Sequence, residues 1–468
     1  MLLTKNSAAL SLLFGSSLID ERTTKVLIGS DFKDDKTELH LVTQINDVKL
    51  AMAEGSTLVL LNHDNIYEAL YDVLNQRYLI KKDHQGKIRK MLRLAIGSRS
   101  QLCHVAEGFK IIVIVEQDHA YRNLDLPLLN RFEKQIFCAE DLLGPRQTKI
   151  VDQLVEWTNS ILESTGMDSM QDIFCGFHPG TIPSAVLNIS CYDDEKIDIN
   201  SVQTIKAWLR RIAQPIAVLH SPELQSEEYL AQQFCLHSAL DNFVFSPHLS
   251  HAVLCLLLTH SPISHLDEAL QEFSHCSHVT LQLGELTSER QLQSNLQNFY
   301  QSEDEAERLL IIQCDPIACT GSLIHHAHYE CIKHHAQFEY ECKIKSTPKQ
   351  RHVLFLVHLP PGTKQRSRHF ALDFIRPWSY VFVDDLRSRT DTGTNVVTLL
   401  KHSVYDLVQA GEIPLESVYR NYFQQALSAC KVPQADEPIS FFGHRMKVLQ
   451  QLLDNETSFQ EFLQSKMM

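Results

Sequence analysis

No stretch of this chain reads G-x-x-x-x-G-K-[ST], so the backbone cradle that seats nucleotide phosphates at a helix start is missing. Gly86-Lys87 lacks the upstream glycine and the following hydroxyl, and Gly362-Thr363-Lys364 runs in the wrong order. Unaided ATP hydrolysis is excluded on that ground. No C-x-x-C pair occurs among the 12 cysteines, which lie scattered from Cys103 to Cys430. That excludes a zinc ribbon or RING-type module and favours reduced, mostly buried thiols over a disulfide framework. No apolar run reaches the ~18 residues that a membrane span needs. No dense Lys/Arg block occurs either, and 57 acidic against 43 basic residues leave a net charge of −14. Direct binding to nucleic acid or an anionic membrane is disfavoured.

What is present is an ordinary globular composition, 44% hydrophobic and 21% charged, over 468 residues, enough for two or three domains. The N-terminal Lys5 and the apolar run Ala8 to Phe14 imitate a signal peptide. Polar Asn6-Ser7 and the absence of a clear small-residue cleavage site argue for a strand and helix instead, and for a cytoplasmic protein.

Apolar strands alternate with helices in two blocks, which predicts an α/β fold with parallel sheets. The first block runs Lys25 to Ser30, a polar turn from Asp31 to Asp35, a helix near Leu39 to Met52, a strand Thr57 to Asp64, an amphipathic helix Asn65 to Asn75, and a strand Lys110 to Val115. Lys81, Lys82, Lys87, Arg89 and Lys90 read as a solvated loop within it. The second block has strands His278 to Glu285, Arg308 to Asp315, His352 to Val357 and Tyr380 to Leu386, with a helix from Ser288 and another over Ser322 to Tyr340. Between the blocks, Ile150, Leu154, Trp157 and Ile161 keep a helical period, as do Val202, Ile205, Leu209 and Ile212. His251 to Thr259 is apolar enough to be buried in that helical region.

In both blocks an apolar strand ends in polar residues and an aspartate, Asn62-His63-Asp64 and Gln313-Cys314-Asp315, where a Walker B motif would sit. A working motif supplies two adjacent acids, one for magnesium and one to activate water. Asn62 and Gln313 are neutral, so magnesium binding should be weak. The loop Leu126-Pro127-Leu128-Leu129-Asn130-Arg131-Phe132 resembles the one from which ring-shaped AAA+ ATPases reach a neighbour's γ-phosphate with an arginine.

Seven segments in fixed order, among them "VLIGSDFKDD", "STLVLLNHDNIYEALYDVLNQ", "FKIIVIVEQD", "LPLLNRFEKQ" and "WSYVFVDDLRS", resemble the AAA+ core of the mysterin family, giant ATPases that are also RING-type ubiquitin ligases. The resemblance implies tandem degenerate AAA+ modules. The divisions are a first module over 1–141, a helical lid and linker over 142–273, a second module over 274–389, and a helical C-terminal region over 390–468. It implies Arg131 as a trans-acting arginine finger beside Asn130, and sensor positions at Glu116 and Gln117. ATP with magnesium, zinc, the ubiquitin-conjugating enzyme and the substrate would engage the parent protein outside these residues, while neighbouring AAA+ modules would contact this stretch. A stand-alone scaffold derived from such a core is the alternative.

Three further features read as structural. Tyr67 to Asp72 is a packing helix with Glu68 and Asp72 solvated. His325, His328 and Cys331 share a helical face near His326, His334 and His335, but with no H-E-x-x-H pattern and 24 histidines in the chain no metal is expected. Cys175 near His178, or Cys191, makes no hydrolase without a G-x-S-x-G elbow.

Overall fold

The computed structural model describes residues 1–82, 88–96, 99–224, 253–258, 277–302, 308–314, 319, 321–345, 351–358, 371–375 and 379–383. The chain divides into two compact units, 1–359 with 365–388 and 360–364 with 389–468, and every described residue belongs to the first. The expected helices of 390–468 and Asp315 lie outside the described residues.

The first sheet contains β1 (Leu2–Thr4), β2 (Thr24–Ile28), β3 (Thr57–Leu61), then, beyond an insertion, β7 (Lys110–Glu116) and β8 (Gln135–Ile136). All pair in parallel, in the order β2-β3-β7-β1-β8. The insertion is a separate antiparallel sheet of β4 (Leu79–Lys82), β5 (Ile88–Ile96) and β6 (Arg99–Val105). It corrects the solvated-loop reading for Lys81, Lys82, Arg89 and Lys90, while Lys87 lies outside the described residues. The alternation there is half-hidden: Leu92, Leu94, Cys103 and Val105 are buried, while Lys81, Lys82, Arg89, Lys90 and Arg93 are exposed and interrupt the apolar pattern.

The second sheet contains β9 (Val253–Leu258), β10 (Ser277–Gln282), β11 (Arg308–Cys314), β12 (Arg351–His358) and β13 (Ser379–Val383), again all parallel, in the order β10-β11-β12-β9-β13. Numbered by appearance, both sheets therefore read second-third-fourth-first-fifth. The fold is α/β with two tandem modules. Within the run His251 to Thr259, read as part of a helical region, strand β9 corrects that reading for Val253 to Leu258. Its unbroken apolar run has no period, and a central parallel strand needs none because both faces are covered. The same logic shows in β3 and β11, where Leu58 to Leu60 and Leu309 to Ile312 are fully buried.

The helices flanking the first sheet are α1 (Ala8–Gly15) and α2 (Glu38–Glu54), with the short α3 (Tyr71–Leu74), α4 (Gln117–Asn123) and α5 (Leu126–Leu129) above its strand ends. Helix α2 starts on Thr37, whose hydroxyl accepts from the His40 N–H, and stops on left-handed Gly55. The helix expected over Asn65 to Asn75 is broken into a 3-10 turn at Asp64–Ile66 and α3. Leu70, fully buried with φ −97° and ψ 16°, is drawn into the core and interrupts it. Helices α6 (Pro145–Thr165), α7 (Met170–Ile173), α8 (Thr181–Ile189), α9 (Ile199–Arg211) and α10 (Pro215–His220) follow. The second sheet carries α11 (Glu289–Gln301) and α12 (Gly321–Lys345).

The loop between β2 and α2 joins the modules. Asp35 accepts from the Glu289 N–H at 2.8 Å, at the first turn of α11, and from the Ser30 hydroxyl at 2.5 Å. Asp31 accepts from the Ser322 hydroxyl at the start of α12. Two carboxylates of one module thus face the positive ends of two helices of the other. Phe32 between them is 2% exposed and packs against the His326 ring, centroids 5.9 Å apart.

Candidate functional site

In a parallel α/β sheet, ligands gather at the carboxyl ends of the strands where the strand order reverses. Here that place is the end of β1, beside β7. Strand β1 is followed by Lys5-Asn6-Ser7 and then α1, which is the strand-loop-helix arrangement of a phosphate site with a three-residue loop. Asn6 and Ser7 both adopt left-handed conformations, φ 56° and 55°. Successive N–H groups turned to one side in this way make an anion-binding hollow.

The hollow is filled from within the chain. The Glu116 carboxylate, at the end of β7, accepts from the Asn6 N–H at 3.1 Å, from the Ser7 N–H, and from the Ser7 hydroxyl at 3.0 Å. Its own N–H donates to Asn62 Oδ1 at 2.9 Å, and the Asn62 N–H donates to the Ile114 carbonyl at 2.9 Å. Asn62 holds that position with φ 48°. Burial raises the Glu116 pKa, and the donors from Ser7 and Asn6 only partly offset it. A neutral Asn62 avoids placing a second carboxylate against it.

The next Walker B-like position is also neutralised. His63 is 3% exposed, its Nε2 lies 2.6 Å from Gln44 Oε1, and burial pushes its pKa down to about 4. Asp64 bonds instead to His119 Nε2, while His119 Nδ1 lies 2.8 Å from the Asn123 amide nitrogen. An ATPase needs metal-binding acids here, and the side chains present are an amide, an uncharged imidazole and a carboxylate already engaged.

Asn62, Asp64, Glu116 and Arg131 line one cleft of about 1180 Å³. Within it the Arg131 guanidinium stacks on the Tyr71 ring of its own module, 4.1 Å from the centroid. The other expected residues are elsewhere. Asn130 is an exposed residue closing α5, Gln117 opens α4, and Gln313 is the penultimate residue of β11 in the second module. Sequence reasoning missed Asn6, Ser7, His63 and His119. Only the strand-then-helix pattern at the N-terminus hinted at the first two, because neither is a residue type that announces a phosphate site.

The remaining clusters resolve differently. Tyr67 is buried, Glu68 exposed, and Asp72 lies 4.0 Å from Arg77. The Cys175 thiol is buried and its pKa is pushed far up, so it offers no thiolate. His178 bonds Asp373 at 2.8 Å; burial alone would lower its pKa, but that partner's hydrogen bond and charge leave it raised. Cys191 is exposed. Burial lowers the pKa of both His325 and His328 and raises that of Cys331.

Among the described residues no helix is long and apolar enough to cross a membrane. The family description "RNF213 AAA domain" matches residues 1–143. Over 456 residues, covering 88% of this chain and 8% of the relative, it is 28% identical to the E3 ubiquitin-protein ligase RNF213 of Homo sapiens. The Mus musculus protein of the same name is 26% identical over 454 residues, with the same coverage. The Danio rerio E3 ubiquitin-protein ligase rnf213-beta is 30% identical over 197 residues, 40% of this chain and 4% of that protein. The chain thus spans about 8% of the length of the human and mouse relatives.

Proposed function

From the premise that the chain is an AAA segment of the RNF213, or mysterin, family, we propose that its two modules are non-hydrolysing members of a larger AAA assembly and relay motion driven by nucleotide at neighbouring modules. The observation that carries this reading is the Glu116 carboxylate in the hollow at the start of α1. A phosphate group entering there would meet a buried carboxylate, and like charges at that distance disfavour one another strongly. ATP hydrolysis and ubiquitin transfer belong to other parts of the parent protein, as do contacts with a ubiquitin-conjugating enzyme and substrate. The parent is cytoplasmic in this reading. The first module is 1–141, the lid and linker begin at 142, and the second module extends to 389 and takes in β9.

Calorimetric titration of the 468-residue chain with ATP and magnesium tests the silent-site half. No saturable binding is expected up to about 1 mM, and a Kd in the low micromolar range would withdraw it. The relay half is tested in the intact protein. Arg131→Ala should lower ATP turnover by roughly tenfold or more if the side chain leaves Tyr71 to meet a neighbour's nucleotide. Unchanged turnover would leave Arg131 with only its stacking role.

A further inference from the structure

At the junction between the modules, α11 and α12 bring three potential metal ligands together. Glu289 opens α11, while His326 and Glu330 are one turn apart on the same face of α12. One ligand atom from each lies within 4.8 Å of the others. His326 is 2% exposed, and neither of its ring nitrogens has a hydrogen-bond partner. Its Nε2 faces Glu289 Oε1 at 3.7 Å. That is too long for a hydrogen bond and close to the ~3.4 Å edge of a tetrahedron whose bonds are about 2.1 Å. A buried imidazole is costly without a partner, and a metal ion between it and the two carboxylates supplies one.

We propose that Glu289, His326 and Glu330 bind a divalent transition metal ion, with Zn²⁺ the natural occupant of one imidazole and two carboxylates. The surroundings suit it. The Gln293 amide nitrogen lies 2.9 Å from Glu289 Oε1 and 3.3 Å from Glu330 Oε2, between the two carboxylates, and can keep orienting either as a ligand. Lys333 pairs with Glu330 at 3.0 Å, is half exposed, and can swing into solvent when the ion enters. On the far side of Glu289, His40 Nε2 is 3.9 Å from Oε2, so the first module closes over the site. An ion here would tie α11 to α12 directly under the loop that joins the modules. The proposal does not depend on the chain's place in a larger assembly.

The test uses the 468-residue chain, stripped with a chelator and titrated with ZnCl₂. One equivalent is expected to bind with a Kd below about 1 μM, and Tm should rise with zinc concentration. His326→Ala and Glu330→Gln should each weaken binding by about 100-fold or more, while Cys331→Ser leaves it unchanged. Cobalt substitution should give visible bands without a thiolate charge-transfer band. Circular dichroism of the stripped variants separates lost binding from lost folding. If His326→Ala fails to fold, Glu330→Gln carries the test. Failure of the wild-type chain to take up an equivalent overturns the proposal. So does a thiolate band, or binding that survives His326→Ala and Glu330→Gln but is lost in His40→Ala.

Discussion

Glu116→Ala should destabilise the chain by about 3 kcal/mol, and millimolar sulfate or phosphate should restore part of that loss. The carboxylate accepts two backbone N–H groups and one hydroxyl. Hydrogen bonds to a charged group contribute about 1.5–3 kcal/mol each, and water entering the vacated space offsets some of their sum. Removing the side chain leaves an open anion hollow at the start of α1, so an added anion stabilises the folded state by mass action, about 1.4 kcal/mol at ten times its Kd. Glu116→Gln should fall between, since its amide oxygen still accepts while its NH₂ confronts donors. Urea midpoints with and without sulfate measure this. The hollow loses its meaning if sulfate raises the wild-type and Glu116→Ala midpoints equally, or if Glu116→Ala is as stable as wild type.

The second large effect is expected in acid. The folded His63 pKa of about 4 lies below its ordinary 6.5 because burial penalises the charged ring. Between those values the unfolded chain binds a proton that the folded chain does not. Stability from this group is therefore complete above pH 6.5 and is lost as pH falls towards 4. The full span of about 2.5 pH units corresponds to about 3 kcal/mol. His325, His328 and His334 are lowered in the same direction, so the wild-type chain should weaken steeply in acid. His63→Gln should show a visibly shallower slope between pH 6.5 and 4 in chelator-containing buffer. An unchanged slope would mean that His63 titrates in the folded state as it does in the unfolded one.

The alternation of helices with apolar runs made the α/β class and the tandem arrangement legible, because interior parallel strands such as β3 and β11 must be apolar throughout. Strand β9 was not legible for the same reason: six apolar residues without a period fit a buried helix equally well. The antiparallel insertion hid behind its lysines. At the site, Asn62 and Glu116 were readable as strand-end positions, and the missing P-loop showed that phosphates are not held in the usual way. That Glu116 itself sits in the hollow was beyond any local pattern, since it joins residues 110 apart. Arg131 was readable as a residue in a loop, but its seat on Tyr71 depends on where α3 begins.

The joint made by Asp31, Phe32 and Asp35 has a mechanical consequence. Swinging the second sheet about the first would pull both carboxylates from the helix starts they face and lift a buried aromatic ring into water. The joint therefore resists hinging between the two sheets, like two arms keyed to a single shaft.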